Sequence, residues 1–252
     1  MSSKTFHEGK AMERNPTLHS HLKTILKFDS IAVFGDPTTK GDVVGRQSNK
    51  EVPISIKHGS QKNTQVHLPT LNSFSKALNI PLNVTSMLEQ WLGVSNQLQF
   101  ESWLNGNSPT TEQKKYKRLF ANDISDWGSV VNWFNINTRQ VAELLIQEMN
   151  GERPAEYLVW VYKNKNKFQI IDIHELVEWI ITDCKWVTGP RNNGSTLRCE
   201  NKEGKPIFHL QMKGNRIKVD GVFKGEYNHN PQFHIHINWP EAVIIHEGKL
   251  VA

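Results

Sequence analysis

Cysteine is scarce in this chain, long apolar runs are missing, and the familiar catalytic signatures do not occur. Two cysteines among 252 residues, Cys184 and Cys199, are too few for a disulfide framework and cannot alone make a zinc site. A reducing cytoplasm is the simple expectation. No apolar stretch approaches the ~18 residues needed to cross a bilayer, and the opening MSSKTFHEGKAMERN has no apolar centre of a secretory signal. On that expectation the glycosylation-type triplets Asn83-Val84-Thr85 and Asn193-Gly194-Ser195 are discounted. There is no G-x-S-x-G, no P-loop and no G-x-G-x-x-G, which argues against a serine hydrolase of that type, a Walker NTPase and a dinucleotide-binding enzyme. Large single-sign charge is also missing: the formal net charge is +5, compatible with nucleic acid without demanding it. What is present is core-forming material, with eight tryptophans and eleven phenylalanines in a chain long enough for one large domain or two small ones.

The pattern is helical first and stranded later. A helix is predicted over residues 10–28, broken or restarted at Pro16, followed by a short apolar run at 31–34. Residues 42–45 and 52–57 read as two strands of a hairpin with a polar loop of about six residues between them. Apolar spacing of three to four predicts helices over 71–78, 84–92 and 112–120, and a clearer one from Asn137 to Met149 that stops at Asn150-Gly151. After Pro154 come predicted strands at 157–162 and 168–171, a short helix at 173–181, and strands at 196–200, 207–213, 216–219 and 233–238. The expectation is an α+β protein with a catalytic part over 1–150 and a strand-rich part over 151–252, or the two as one continuous domain.

The stretch from Gly41 to Asn63, GDVVGRQSNKEVPISIKHGSQKN, carries the most chemistry. An aspartate starts one strand and a lysine closes the next. Metal-dependent cleavage of a phosphodiester needs a carboxylate to hold a hard divalent cation and a cation to orient water or stabilise phosphate charge. Asp42 is equally a turn residue after Gly41. Lys57 ends the apolar run VPISI, so it is either a functional ammonium or a strand-end lysine snorkelling to solvent. The PD-(D/E)-x-K nuclease pattern asks for an acid where Ser55 stands, so another carboxylate is needed. Glu13 on the first helix is the candidate and Glu51 on the hairpin a weaker one. Either is otherwise an ordinary solvated residue.

VPISIKHGSQKN resembles the active-site strand and following loop of Type II restriction endonucleases of the PD-(D/E)-x-K superfamily, the small monomeric MspI-type members in particular, where asparagine takes the middle position. Gly9-Lys10-Ala11-Met12-Glu13 is similar to that family's helix with an accessory glutamate, and Leu210-Gln211-Met212-Lys213-Gly214 to its base-reading Q-x-K-G strand. The resemblance implies a mixed central β-sheet flanked by helices, with DNA recognition in the strand-rich C-terminal part. It implies that Asp42 and the backbone carbonyl of Ile56 hold Mg²⁺, with Mn²⁺ able to substitute. Lys57 would position or activate the attacking water, with Ser55 acting through a metal-bound water and Glu13 holding an outer-sphere water. It also implies a monomer acting on double-stranded DNA in a prokaryotic cytoplasm, beside a cognate DNA methyltransferase with which no stable complex is expected.

The reading surface is expected from Gln211 and Lys213, whose side chains suit adenine and guanine edges in a major groove. The turn residues Arg191, Asn192 and Asn193 are expected to be a second recognition element, and His58, Ser60, Lys62 and Gln65, on or beyond the expected catalytic strand, are expected to contact DNA. KNKNK at 163–167 is either a phosphate contact or a charged hairpin tip. The pairs His19/His21 and His234/His236 lack the further ligands a zinc site requires. Two other functions stay open: a sequence-specific DNA-binding protein with a decayed nuclease centre, and a structure-specific repair nuclease of the same fold.

Overall fold

Asn15 and Pro16 set the first helix. The Asn15 side chain accepts from the Leu18 N–H at 2.9 Å, Pro16 supplies a helical φ at the first turn, and Lys27 ends the helix in the left-handed conformation at φ 57°. The computed structural model describes residues 14–33, 42–59, 63–66, 71–92, 124–146, 154–162, 166–189, 196–212, 218–219, 223–224 and 231–250. Helix α1 is Pro16–Leu26, beginning at the proline where the sequence reading placed a break or restart, and residues 10–13 lie outside the described residues. The predicted helix over 112–120 lies outside the described residues.

Strands β1 (Ser30–Val33), β2 (Val43–Gln47), β3 (Lys50–Gly59), β5 (Tyr157–Tyr162), β6 (Lys167–Asp172) and β13 (Ile244–Lys249) form one sheet in the order β1-β2-β3-β5-β6-β13. Neighbours are antiparallel except β3 and β5, which run parallel. The β2–β3 connection is tighter than predicted. Gln47 pairs with Lys50, leaving two turn residues, with Ser48 at φ 54° and its N–H donating to Asp29 Oδ2 at 2.6 Å. Pro53 is tolerated inside β3 because the ladder to β5 begins only at Ile54↔Tyr157, while its carbonyl accepts from Glu156 at 2.9 Å.

Alternation divides the sheet's side chains. On one face Val43, Val52, Ile54, Ile56, Val159, Val161, Phe168 and Ile170 pack with Leu18 and Leu22 of α1. Each fully buried aliphatic chain there contributes roughly 1.5–3 kcal/mol. Gly45 on this face admits the Phe28 ring, which a Cβ would meet at 2.4 Å. The other face carries Ser55, Lys57 and the fully buried Trp160, whose ring meets Trp239 edge-on at 5.7 Å. Helix α6 (Ile173–Asp183) starts where β6 ends, capped by Asp172, whose Oδ1 accepts from the Glu175 N–H at 3.1 Å. Arg139 of helix α5 (Thr138–Ile146) makes two contacts with the Glu178 carboxylate, at 2.7 and 3.0 Å.

A second sheet orders β4 (Asn63–Val66), β12 (Pro231–His236), β9 (Pro206–Met212), β8 (Thr196–Asn201) and β7 (Cys184–Thr188). Helices α2 (Leu71–Ala77), α3 (Leu82–Leu92) and α4 (Trp127–Ile136) accompany it. An aromatic core ties these elements, with Phe134 against Trp186 at 4.8 Å and Phe74 against Phe233 at 5.1 Å. The edge strand β7 is closed by Asn135, whose amide exchanges two hydrogen bonds with the Trp186 backbone at 3.0 and 2.8 Å. Strands β10 (Lys218–Val219) and β11 (Phe223–Lys224) form a two-stranded ribbon.

The chain forms two compact units, residues 1–64, 139–184 and 235–252 in one, and 65–138 and 185–234 in the other. Residue 151 marks a change from helix-rich to strand-rich sequence, yet both units draw on both sides of it. The parallel β3–β5 pairing is the physical reason, since it joins segments about a hundred residues apart into one sheet. The fold class is α+β, built on a mixed sheet and a second sheet.

Candidate active site

The ladder between β2 and β3 stops at Val43↔Ile54, while β3 continues to Gly59. Beyond that point the outer edge of β3 has backbone groups with no β2 partner, and Asp42 sits there, one residue before β2 begins. Its Oδ2 accepts from the Ile56 N–H at 2.5 Å and from Ser55 Oγ at 3.5 Å. The carboxylate thus completes an interrupted ladder, which explains locally why an aspartate stands at this position. In a strand a residue's N–H and C=O leave from the same edge, so the Ile56 carbonyl also faces the side on which Asp42 lies.

The register carries Asp42 opposite Ser55, and alternation puts Lys57 on the face of Ser55. Asp42, Ser55 and Lys57 therefore share one face of the sheet. Ser55 is fully buried and Lys57 half-buried. Beside Lys57, Trp160 of β5 is directly opposite in register, and Gly59 makes room for its indole, which a Cβ would meet at 2.4 Å. The donors at this edge are a carboxylate, a carbonyl and a hydroxyl, an all-oxygen set that suits Mg²⁺ better than zinc. No cluster of three His, Cys, Asp or Glu that could hold a metal occurs among the described residues.

Other sequence candidates fall elsewhere. Glu51 is on the same strand but at the turn end of the hairpin, ion-paired with Arg46 at 3.0 Å. Four residues of strand hold it about 13 Å from Ser55, so it does not supply the missing carboxylate. His58 alternates to the face carrying α1, away from Lys57. Gln65 lies in β4, and Gln211 in β9 opposite Thr196. Glu13, Ser60, Lys62, Arg191, Asn192, Asn193 and Lys213 lie outside the described residues.

The sequence reading missed a row of side chains continuing from Lys57 across the sheet. Register aligns Lys57, Trp160, Gln169 and Glu247 on one face. The Gln169 amide donates to Glu247, while Gln169 Oε1 and the Trp160 indole N–H are buried without a hydrogen-bond partner among the described residues. A glutamine within the apolar run FQII was the available signal. In the second unit, the His209 and His234 rings stack at 4.5 Å with 10° between planes. Burial, and then the neighbouring His209, lower the His234 pKa to about 4, so it is neutral at pH 7.

No protein-family model matches this chain, and no curated protein matches it. Among solved structures it is similar to the restriction endonuclease MspI in complex with its cognate DNA, with 14% identity over 72% of this chain and 76% of that one, at a TM-score of 0.41. At that level of similarity, the fold class stands on the strand order and register described above.

Proposed function

We propose that this protein is a Type II restriction endonuclease, which hydrolyses both strands of duplex DNA at a short specific sequence with Mg²⁺ and leaves 5′-phosphate and 3′-hydroxyl ends. The observation that supports this reading is the gathering of Asp42, Ser55 and Lys57 on one sheet face where the β2 ladder ends, with the Ile56 carbonyl on the same edge. In this reading Asp42 and the Ile56 carbonyl hold the cation. When bound, Mg²⁺ supplies Lewis acidity at the scissile phosphoryl group. Lys57 orients the attacking water and offsets charge developing on phosphate. Ser55, both donor and acceptor, fixes the Asp42 carboxylate and holds an adjacent water. Glu13 is the proposed further carboxylate, and Gln211, Lys213 and the 191–193 turn the proposed base readers. The protein would act as a monomer in a prokaryotic cytoplasm, beside a separate methyltransferase.

A second reading is favoured by Ser55, which stands where a second carboxylate would strengthen metal binding: a sequence-specific DNA-binding protein with a decayed centre. Digestion of intact plasmid in millimolar Mg²⁺ separates the readings. Discrete fragments with a common end sequence are expected. Tight binding without cleavage in Mg²⁺ or Mn²⁺ would support the decayed centre, and cutting confined to mismatched or branched substrates would point to a repair nuclease.

A further inference from the structure

A pocket of about 420 Å³ opens at the far end of the same sheet, lined by Tyr162, Lys167, Phe168, Glu247, Gly248 and Lys249. Its polar residues belong to one side. Gly59, Tyr162, Lys167 and Lys249 are consecutive partners in register, one two-residue step beyond the row that starts at Lys57. They therefore share the face of Asp42, Ser55 and Lys57. Lys167 and Lys249 are directly opposed across β6 and β13, both are exposed, and neither makes an ion pair among the described residues. Like charges at directly opposed positions destabilise a sheet. The Glu247 carboxylate, which accepts from the Gln169 amide in the row behind, offsets one of the two charges and leaves the cluster net positive. Tyr162 is half-buried, and burial with the Glu247 charge raises its pKa, so its hydroxyl keeps a proton to donate. Gly248 contributes no side chain to the floor and lies against the Phe168 ring, which a Cβ would meet at 2.5 Å.

We propose that Lys167, Lys249 and the Tyr162 hydroxyl form an anchoring site for a backbone phosphate of the DNA duplex, separate from the phosphate at Asp42 and Lys57. The proposal deepens the nuclease reading and rests on it for the identity of the ligand. Strand spacing puts the Lys167 backbone about 12 Å from that of Lys57, two strands across and two residues along. That span matches the through-space separation of phosphates about two nucleotides apart on one DNA strand, where the winding of the backbone adds to the rise of about 3.4 Å per nucleotide. One face thus holds both the proposed reacting phosphate and a second, which fixes the duplex in register over Asp42 without reading sequence.

The test is binding of a 20-base-pair duplex without divalent metal, followed by fluorescence anisotropy over a salt series, for wild type and for Lys167→Ala/Lys249→Ala. Both residues are exposed, so the variant is expected to fold, with an unchanged or slightly raised melting temperature. Loss of both contacts lowers the slope of log K against log salt by about 1.8 and weakens binding at low salt by more than tenfold. Tyr162→Phe weakens binding modestly with little change in slope. A wild-type protein that binds duplex while the double variant keeps its slope and affinity would overturn the proposal, including the case in which Lys249 serves only to keep the β13 edge from pairing. If wild type does not bind duplex at all, the DNA reading fails by itself. Titration with inorganic phosphate then decides the pocket. Shifts of the Gly248 amide and Tyr162 ring resonances, lost in the double variant, would uphold a phosphate site, and their absence in wild type would overturn it.

Discussion

Asp42 has one role that the structure shows and one that is proposed, and a pair of substitutions divides them. Its Oδ2 accepts from the Ile56 N–H at 2.5 Å and from the buried Ser55 hydroxyl at 3.5 Å. Asp42→Ala strands both donors. A buried N–H left without an acceptor costs about 1–3 kcal/mol, whereas the hydroxyl can rotate toward another acceptor and adds little. At about 2–4 °C per kcal/mol for a chain of this size, a loss near 2 kcal/mol lowers the melting temperature by roughly 4–8 °C. Asp42→Asn keeps an acceptor oxygen of the same shape, so it loses only the charge assistance, about 1 kcal/mol or less. The proposed role, as a metal ligand, needs the charge. If Asp42 holds Mg²⁺, wild type at ten times the dissociation constant is expected to gain about 1.4 kcal/mol, and neither variant to gain it. The assay is thermal unfolding by circular dichroism, with and without Mg²⁺. Equal stability of Asp42→Ala and wild type would refute the ladder-completing role. An Asp42→Asn protein with the full Mg²⁺ stabilisation would refute the carboxylate as a metal ligand.

Gly59→Ala pushes a methyl group to 2.4 Å from the Trp160 ring, which is fully buried and braced by Trp239, so it has little room to move. The expected cost is about 1–3 kcal/mol in chemical denaturation, together with a changed near-ultraviolet tryptophan spectrum. Ser55→Asp adds a carboxylate beside Asp42 in a fully buried position. Without metal it is expected to destabilise through like-charge repulsion and desolvation, and with metal to lower the Mg²⁺ concentration for half-maximal cleavage. A shift of that midpoint upward would count against Ser55 standing at a ligand position. The depressed pKa of His234 makes stability depend on pH in one direction. The unfolded chain binds a proton below about 6.5 that the folded protein refuses until about pH 4, so stability is full above that window and falls as pH drops through it. Denaturation midpoints measured from pH 7.5 to 4 should show this slope, and His234→Phe should reduce it.

Much of the candidate site was legible because it is local. Asp42 and Lys57 belong to one hairpin, and the apolar run ending at Lys57 fixes which residues alternate. The two-residue turn was not, because Ser48 adopts a left-handed conformation that its composition does not announce. Helix α4 was also hidden. Trp127, Val130 and Phe134 have helical spacing, but Gly128, Asn132 and Asn135 are weak helix formers and mask it. Strand β13 is an edge of alternating burial containing glycine, lysine and glutamate, and only its pairing with β6 defines it. The interleaving of the two units rests on contacts between distant segments, which periodicity cannot show. The row from Lys57 to Glu247 needs the register of four strands, so no local pattern reveals it.

The most direct test of the proposed cleavage centre is the Mg²⁺-dependent rate of duplex phosphodiester hydrolysis in wild type, Asp42→Asn and Lys57→Ala, each at a protein concentration that saturates the DNA. Wild type is expected to cut, and either substitution to lower the rate by at least a thousandfold while duplex binding persists. Cleavage at an undiminished rate by either variant would contradict the assignment of this edge of β3 as the place where the phosphodiester is broken.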